Sequence, residues 1–351
     1  MTDMKKTGKL LLIFGIIALV SAIAFGCTVA AFGVANANYG ISFFGHEIFG
    51  GFNMANAGII FNDHHNRITY EFEKNKSFES TLDGSDLSDI RFELASCKAT
   101  MDCGDTNEVK VTYTTSSYPV EFTAECIDGV LSIKEKTSGL SFLSFGTLKG
   151  SELTVTVPKT LYNSVNFDLA SGKIATTDIT SDNLKANVAS GSLELGIFAD
   201  NTDINLASGR IVMNNCTENK ADEIKLQVAS GKIEMNGFRA EETEINVASG
   251  SVVLNGISGK VKSELASGKV TLTYAEWNDD LDVELMSGSV DVTLPAGSGV
   301  DAEFEKLSGS MTIDLDGHSE KLSKNSHVTI GGSNVHDVSA ETASGSVSIH
   351  N

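Results

Sequence analysis

No histidine lies between residues 66 and 317, which removes the commonest general base from most of the chain. Basic residues are scarce too: 26 Lys and Arg stand against 46 Asp and Glu, for a net charge of −20. Nucleic acid and anionic lipid surfaces are bound through surplus positive charge, so neither is expected as a main partner. Three prolines beside 33 glycines mean that the chain reverses direction mostly at glycine turns. A single tryptophan and 7% aromatics point to a core of Val, Ile, Leu and Ala. The five cysteines, Cys27, Cys97, Cys103, Cys126 and Cys216, are too few and too scattered for a disulfide framework. One pair among Cys97, Cys103 and Cys126 is left open beside the reading of isolated buried thiols, and their spacing does not suit a four-ligand zinc site. Calcium-binding nonapeptides of the Gly-Gly-x-Gly-x-Asp type are absent, and no cofactor is expected.

What the N-terminus does have is an uncharged run, Leu10 to Val34, preceded by Lys5, Lys6 and Lys9. About 20 apolar residues cross a bilayer as a helix, and flanking positive charge stays in the cytoplasm. The expectation is a cytoplasmic tail (1–9), a transmembrane helix (10–34) as the sole anchor at the plasma membrane, and an extracellular remainder. Two other readings stay open: cleavage and secretion after "ANA" (Ala35–Ala37), or a lipoprotein modified at Cys27. Residues 35–66 are a Gly/Asn/Phe-rich juxtamembrane linker. Its Phe43, Phe44, Phe49 and Phe52 suit a membrane interface as well as a flexible stalk. "DHH" at Asp63–His65 reads as polar filler, with metal binding as the alternative.

From Arg67 the text becomes short alternating strands such as "ITYEFE", "VKVTY" and "LTVTVPK", and no sustained helical period follows. The domain 67–351 divides into a divergent part (67–160) and a regular one (161–351). The regular part repeats apolar–Ala–Ser–Gly–x–apolar, with serines at 171, 190, 208, 230, 249, 267, 287, 308 and 344. They are 18 to 22 residues apart until the last gap of 36, which holds an insertion near 316–340 and room for one degenerate copy. "LASCKA" at Leu94 is an earlier cousin with Cys97 in the glycine position. A period of about 20 residues fits one coil of a β-solenoid, read as strand, Ser-Gly corner, strand, variable loop.

Within one coil, Ile224, Leu226, Val228, Ile233 and Met235 fall on one face and Lys225, Gln227 and Glu234 on the other. The corner glycines Gly172, Gly191, Gly209, Gly231, Gly250, Gly268, Gly288, Gly309 and Gly345 are expected to supply φ > 0, and the serines to bond the backbone at the bend. Eight of the nine corner serines lie in the histidine-free tract, so a Ser-His nucleophile is excluded there. Two outward columns are the candidate binding surfaces. One holds Lys173, Arg210, Lys232 and Lys269 with serines interposed; the other holds Asp168, Asn187, Asn205, Gln227, Asn246, Glu264 and Glu284. Interposed serines separate like charges, amides can stack along a column, and both columns also read as solubilising faces that fix register.

A catalytic site has one candidate, the acidic loop "EWNDD" with Asp279 and Asp280, which reads more simply as a surface loop. His318, His327 and His336 recur every nine residues in the insertion without a supporting ligand pattern. The final "TASGSVSIHN" ends on a repeat strand. It is expected either to self-associate through an open edge or to be capped by the preceding insertion. The single N-terminal span, the "LTVTVP" strand and the h-x-h-x-Ser-Gly-x-h-x-h units resemble the bacterial putative-adhesin family, a β-strand-repeat domain of unknown function also called toastrack. The resemblance covers residues 67–351 and implies a right-handed β-solenoid outside the membrane, often linked with envelope-stress signalling. It supplies no catalytic residue, and the very regular Ala-Ser-Gly corners and the insertion after Leu315 depart from it. Three functions follow in order: a non-catalytic surface module binding a wall glycan or surface protein; a stress-sensing ectodomain, which needs a membrane signalling partner because the tail is short; and, distantly, a polysaccharide-acting enzyme.

Overall fold

The computed structural model describes residues 41–43, 46–49, 67–71, 77–115, 120–137, 150–215, 217–322, 325–332 and 334–351. The expected tail, span 10–34, Cys27, Ala35–Ala37 and Asp63–His65 lie outside them. Among the described residues every regular element is a strand, and no helix is long and apolar enough to cross a membrane. The chain is all-β, and the strands of its repeats pair in parallel, as a solenoid-like stack requires. Its described residues pack as two units, one of those from Ile41 to Asp200 with Gly209–Asn215, the other of Asn201–Ser208 with those of Thr217–Asn351.

The strands of the first unit are β1 (Ile41–Phe43), β2 (His46–Phe49), β3 (Arg67–Glu71), β4 (Ser77–Asp83), β5 (Asp89–Leu94), β6 (Lys98–Gly104), β7 (Glu108–Thr114), β8 (Val120–Ile127), β9 (Val130–Thr137), β10 (Glu152–Pro158), β11 (Leu161–Leu169), β12 (Lys173–Val188), β13 (Ser192–Leu206) and β14 (Arg210–Asn214). The last six residues of β13 belong to the second unit. β1 and β2 form a small antiparallel pair inside the expected linker. In the repeats, one arm of each coil precedes the Ser-Gly corner and one follows it. β12 serves both arms: Lys173–Thr177 runs beside β6, Thr180–Val188 runs beside β11, and the chain bends between them at Asp178, whose φ is 60°. The variable loop expected there is therefore a bend inside one strand.

Spatial order departs from sequence order. β5 lies between β9 and β11, and β6 between β10 and β12, all in parallel. The "LASCKA" coil thus stacks between the later strands β9 and β10 on one side and the coil 161–177 on the other. Antiparallel strands cover the outer side: β8 lies on β9 and β3 on β8, while β7 lies on β10 and β4 on β7.

The second unit continues with β15 (Lys220–Val228), β16 (Lys232–Asn236), β17 (Arg239–Val247), β18 (Ser251–Ile257), β19 (Lys260–Leu265), β20 (Lys269–Tyr274), β21 (Leu281–Leu285), β22 (Ser289–Thr293), β23 (Ser298–Lys306), β24 (Ser310–Leu315), β25 (His318–Leu322), β26 (Ser326–Ile330), β27 (Asn334–Thr342) and β28 (Ser346–His350). Odd strands from β15 to β21 pair in parallel, as do even strands from β16 to β22. Then order breaks again. β27 sits between β21 and β23, and β28 between β22 and β24. The 36-residue gap is not a lost corner. It is a detour in which β25 and β26 lie antiparallel on β24 and β23. The final coil therefore has both edges paired, and the insertion supplies strands that cover the coil beyond it.

Alternation sets the core. Leu226, Val228, Ile233 and Met235 are buried, as are their counterparts Ile245, Val252 and Leu254 in the next coil. One coil buries about four or five such side chains, each contributing about 1.5–3 kcal/mol, which does not offset the ordering of some 20 residues at roughly 1–2 kcal/mol each. Neighbouring coils are required.

Backbone bonds run through the corners. Ser190 N–H donates to Ala170 O at 3.0 Å and Ser192 N–H to Gly172 O at 3.0 Å; Ser249 N–H donates to Ala229 O at 2.9 Å and Ser251 N–H to Gly231 O at 2.9 Å. Such a ladder leaves donors at one end and acceptors at the other, and buried backbone groups need partners. In the first unit, Ser96 N–H donates to the Glu135 carboxylate at 3.0 Å and Lys98 N–H to Ser151 O at 3.0 Å. In the second, the Lys306 ammonium donates to Gly309 O at 3.0 Å. The Glu135 anion meets one donor, Ser96 N–H, and the Lys306 cation one acceptor, which makes these two bonds charge-assisted.

Candidate functional site

The corner separates two outward faces, and the sequence-derived columns lie one on each. After the corner in the first unit come Lys173, Ser192 and Arg210. Lys98 is beside Lys173, so serine does not separate every pair of cations. Lys173 is held by Glu194 at 2.6 Å. In the second unit the column reads Lys232, Ser251, Lys269, Ser289, Ser346, Ser310. Lys232 pairs with Glu234 at 3.1 Å, and Lys269 is exposed. The neighbouring columns read Glu234, Val253, Thr271, Asp291, Ser348 and Thr312, then Asn236, Asn255, Thr273, Thr293, His350 and Asp314. Hydroxyls and amides on this face are interspersed with charges of both signs, and Asn255 donates to Asn236 at 2.9 Å.

The column before the corner is less open than alternation alone suggests. Asp168, Asn187, Asn205 and Glu264 are only 5%, 2%, 6% and 8% exposed, while Gln227, Asn246 and Glu284 are half-buried. An amide stack forms where Asn187 donates to Asp168 at 2.7 Å. Elsewhere the amides turn along their own strand, Asn205 to Asp203 at 3.2 Å and Asn246 to Glu244 at 2.9 Å. In the second unit the amides give way to carboxylates: Glu264, Glu284, Glu341 and Glu305 stand side by side in that order. Stacked like charges repel. Lys262, at 2.6 Å from Glu264, relieves part of this. The hydrogen bond to Glu264 raises its pKa against the effect of burial, with the charges of Glu264, Glu284 and Glu244 adding to the rise.

All nine corner serines are exposed, and the bonds that Ser171, Ser190, Ser230, Ser249, Ser267, Ser287, Ser308 and Ser344 donate from coil to coil come from their amides. The expected φ > 0 holds at Gly172, Gly209, Gly268, Gly288 and Gly309, but it does not account for every corner glycine. Gly288 does have φ of 118°, but Gly250 is absent from the left-handed region. What both share is crowding: a Cβ would lie 2.5 Å from Gly268 O at Gly288, and 2.5 Å from Gly231 O at Gly250. Coil-to-coil approach selects glycine.

The "EWNDD" loop is tied down through its side chains. Glu276 pairs with Arg239 at 3.5 Å, buried Trp277 donates to Gly299 O at 2.9 Å, and Asn278 accepts Gly259 N–H at 3.0 Å. Asp279 accepts Asp280 N–H at 2.9 Å and Asp280 accepts Asp337 N–H at 3.1 Å. The histidines of the insertion do not converge. His318 is 3.8 Å from Glu320, His327 is 2.6 Å from Asp301, and His336 meets the edge of Trp277. No group of three metal-ligating side chains assembles among the described residues.

One constellation escaped the sequence reading. Glu135, buried, accepts Ser96 N–H and the Tyr113 hydroxyl, each at 3.0 Å, and the Ser151 hydroxyl. Burial, and secondarily the Glu135 charge, push the Tyr113 hydroxyl and the Cys97 thiol upward. Cys97, Cys103 and Cys126 are thiols, not disulfides. The signal was present in "VLSIKEK": Glu135 is in phase with inward-facing Leu131 and Ile133.

No curated relative matches the sequence. Among solved structures, a putative lipid binding protein from Parabacteroides distasonis aligns at 16% identity over 78% of this chain and 96% of its own, with a TM-score of 0.47. A putative adhesin from the same species aligns at 14% over 78% and 97%, with a TM-score of 0.47. One from Parabacteroides merdae aligns at 14% over 79% and 96%, with a TM-score of 0.45. Residues 87–350, from the first complete coil to the last, match the toastrack family DUF4097, and the chain belongs to that family.

Proposed function

We propose that the chain is a non-catalytic surface-recognition module. In this reading residues 10–34 anchor a right-handed solenoid outside the plasma membrane, and its columns engage a wall glycan or a surface protein. The supporting observation is register. Parallel pairing puts equivalent outward residues of successive coils side by side, so weak polar contacts recur at about 4.8 Å along an extended ligand. The hydroxyls and amides on the face beyond the corner, set among charges of both signs, suit a hydroxylated polymer. The glutamate column on the other face suits a cationic one.

Full-length protein in detergent, presented with wall polysaccharide, a glycan panel and intact-cell extract, tests this reading. Saturable capture of a glycan or surface protein, weakened by replacing Lys173, Arg210, Lys232 and Lys269 with serine or by replacing Glu284, Glu341 and Glu305 with glutamine, supports it. Capture insensitive to both sets counts against recognition by the columns. Co-purification of a membrane kinase alone would favour the stress-signalling role. Sugar release abolished by Asp279→Asn with Asp280→Asn would overturn the non-catalytic assignment.

A further inference from the structure

In the second unit, residues 334–350 form a coil whose two neighbours both precede it in the sequence. β27 pairs in parallel with β21 on one side and β23 on the other, and β28 does the same with β22 and β24. The corner repeats the arrangement. Ala343, Ser344 and Ser346 donate to Leu285 O, Met286 O and Gly288 O at 2.8, 2.8 and 3.1 Å, while Leu307, Ser308 and Ser310 donate to Thr342 O, Ala343 O and Gly345 O at 2.9, 2.9 and 3.1 Å. Val338, Ala340, Val347 and Ile349 fill the space between, all buried. The coils 281–293 and 298–315 are therefore the walls of a slot one coil thick, and the segment that fills it is made after both walls and their covering strands.

We propose that this coil is exchangeable, and that through it one copy of the chain takes up the corresponding coil of a second copy. Before the slot is filled, its walls expose backbone donors and acceptors that favour an added strand over solvent. The occupant is itself a repeat, so a coil from any copy offers the same inward residues and the same corner. The segment that leads into it carries a glycine pair. A Cβ at Gly331 would meet nothing within 4 Å, whereas one at Gly332 would meet Ser298 C, Gly297 O and Gly299 N at 2.5–2.6 Å. Neither glycine of this hinge has a side chain to disengage, so the hinge itself frees the coil at little steric cost. The contacts in an exchanged pair equal those in a single chain, so hinge conformation and concentration set the balance, as in other swapped dimers. The inference goes beyond the recognition reading and does not depend on it.

The test uses full-length chains in mild detergent. One carries Ser289→Cys and the other Ser346→Cys, at facing positions of β22 and β28. Unfolded together, refolded at high concentration and oxidised, they are expected to give a heterodimer with a 289–346 disulfide identified by peptide mass. Its yield should be at least severalfold above that from chains refolded apart and then mixed. A chain carrying both substitutions and locked in cis before mixing should give none. Equal yields, or a heterodimer undiminished by the lock, would overturn the proposal. The unsubstituted chain gives an independent readout: concentrated refolding should yield a dimer that survives dilution, and refolding as monomer at every concentration would also overturn it.

Discussion

Gly250→Ala isolates the stacking argument from backbone strain. Gly250 does not occupy the left-handed region, so alanine fits its dihedral angles. In an open site this change stabilises by about 0.4–1 kcal/mol through the unfolded chain. Here the new methyl would lie 2.5 Å from Gly231 O and 2.5 Å from Val228 Cγ1. Gly231 O also accepts Ser251 N–H at 2.9 Å, so the coils cannot separate without lengthening that bond. Overpacking of this kind costs about 1–3 kcal/mol, and a weakened ladder bond adds about 0.5–1.5 kcal/mol. The steric terms win, leaving a net loss of about 1–3 kcal/mol. At roughly 2–4 °C per kcal/mol for a unit of this size, Tm should fall by about 2–12 °C. Circular dichroism melting measures the fall, and hydrogen exchange at the Ser251 and Lys269 amides should accelerate first. Ser249→Ala, on an exposed hydroxyl in the same corner, should stay within about 0.5 kcal/mol. A Tm for Gly250→Ala that is unchanged or raised would refute close approach as the reason for glycine.

Other consequences follow from the ends, the loop and the charges. Glu135→Gln keeps one acceptor but turns an amide donor toward another donor, so urea denaturation should show a loss of about 1–3 kcal/mol; Glu135→Asp with an equal or larger loss is expected, and no loss in either would remove the carboxylate from its capping role. Trp277 is the chain's only tryptophan and is buried, so its emission should be blue-shifted and protected from iodide until the second unit unfolds. In Asp301, hydrogen bonds from Thr329 and then His327 lower the pKa. In Asp89, hydrogen bonds from Ser164, Ser88 and Asn163 together outweigh burial and also lower it. Their contribution to stability is present above the ordinary aspartate range near 3.9 and is lost as pH falls through the lower folded values. Lys262 and Lys225 are raised, so theirs is present below about 10.4 and lost as pH climbs through the higher folded values. Melting temperature against pH should therefore show a plateau with losses at both extremes, and replacing Lys262 by methionine should flatten the alkaline limb.

The inward residues and the corners were legible because alternation and a period of about 20 residues encode them directly. Ile224, Leu226, Val228, Ile233 and Met235 are all buried where the pattern puts them. Stacking order was not legible, because near-identical coils carry no mark of which neighbour they prefer; nothing in "TASGSV" says that it fits between "LMSGSV" and "KLSGSM". Column exposure was only half legible. Alternation assigns Asp168 and Asn187 to the outer face of their strands but does not report how closely the surrounding side chains pack over them. Glycine was assigned to the right place for an incomplete reason, since a positive φ is a local property and the approach of Gly231 O to Gly250 is a contact between coils.

Stacking order at the second unit's end is the central structural claim, and paired cysteines at equivalent positions measure it directly. Ser346 is beside both Ser289 and Ser310, one coil spacing of about 4.8 Å away, within the range of about 4.4–6.8 Å that a disulfide spans. Ser289 and Ser310 are two spacings apart, about 9.6 Å, beyond that range. Intrachain disulfides should form in the Ser289→Cys/Ser346→Cys and Ser310→Cys/Ser346→Cys chains and not in the Ser289→Cys/Ser310→Cys chain. A ready intrachain bond between positions 289 and 310, with none to 346, would mean that the coils stack in sequence order and would contradict the account.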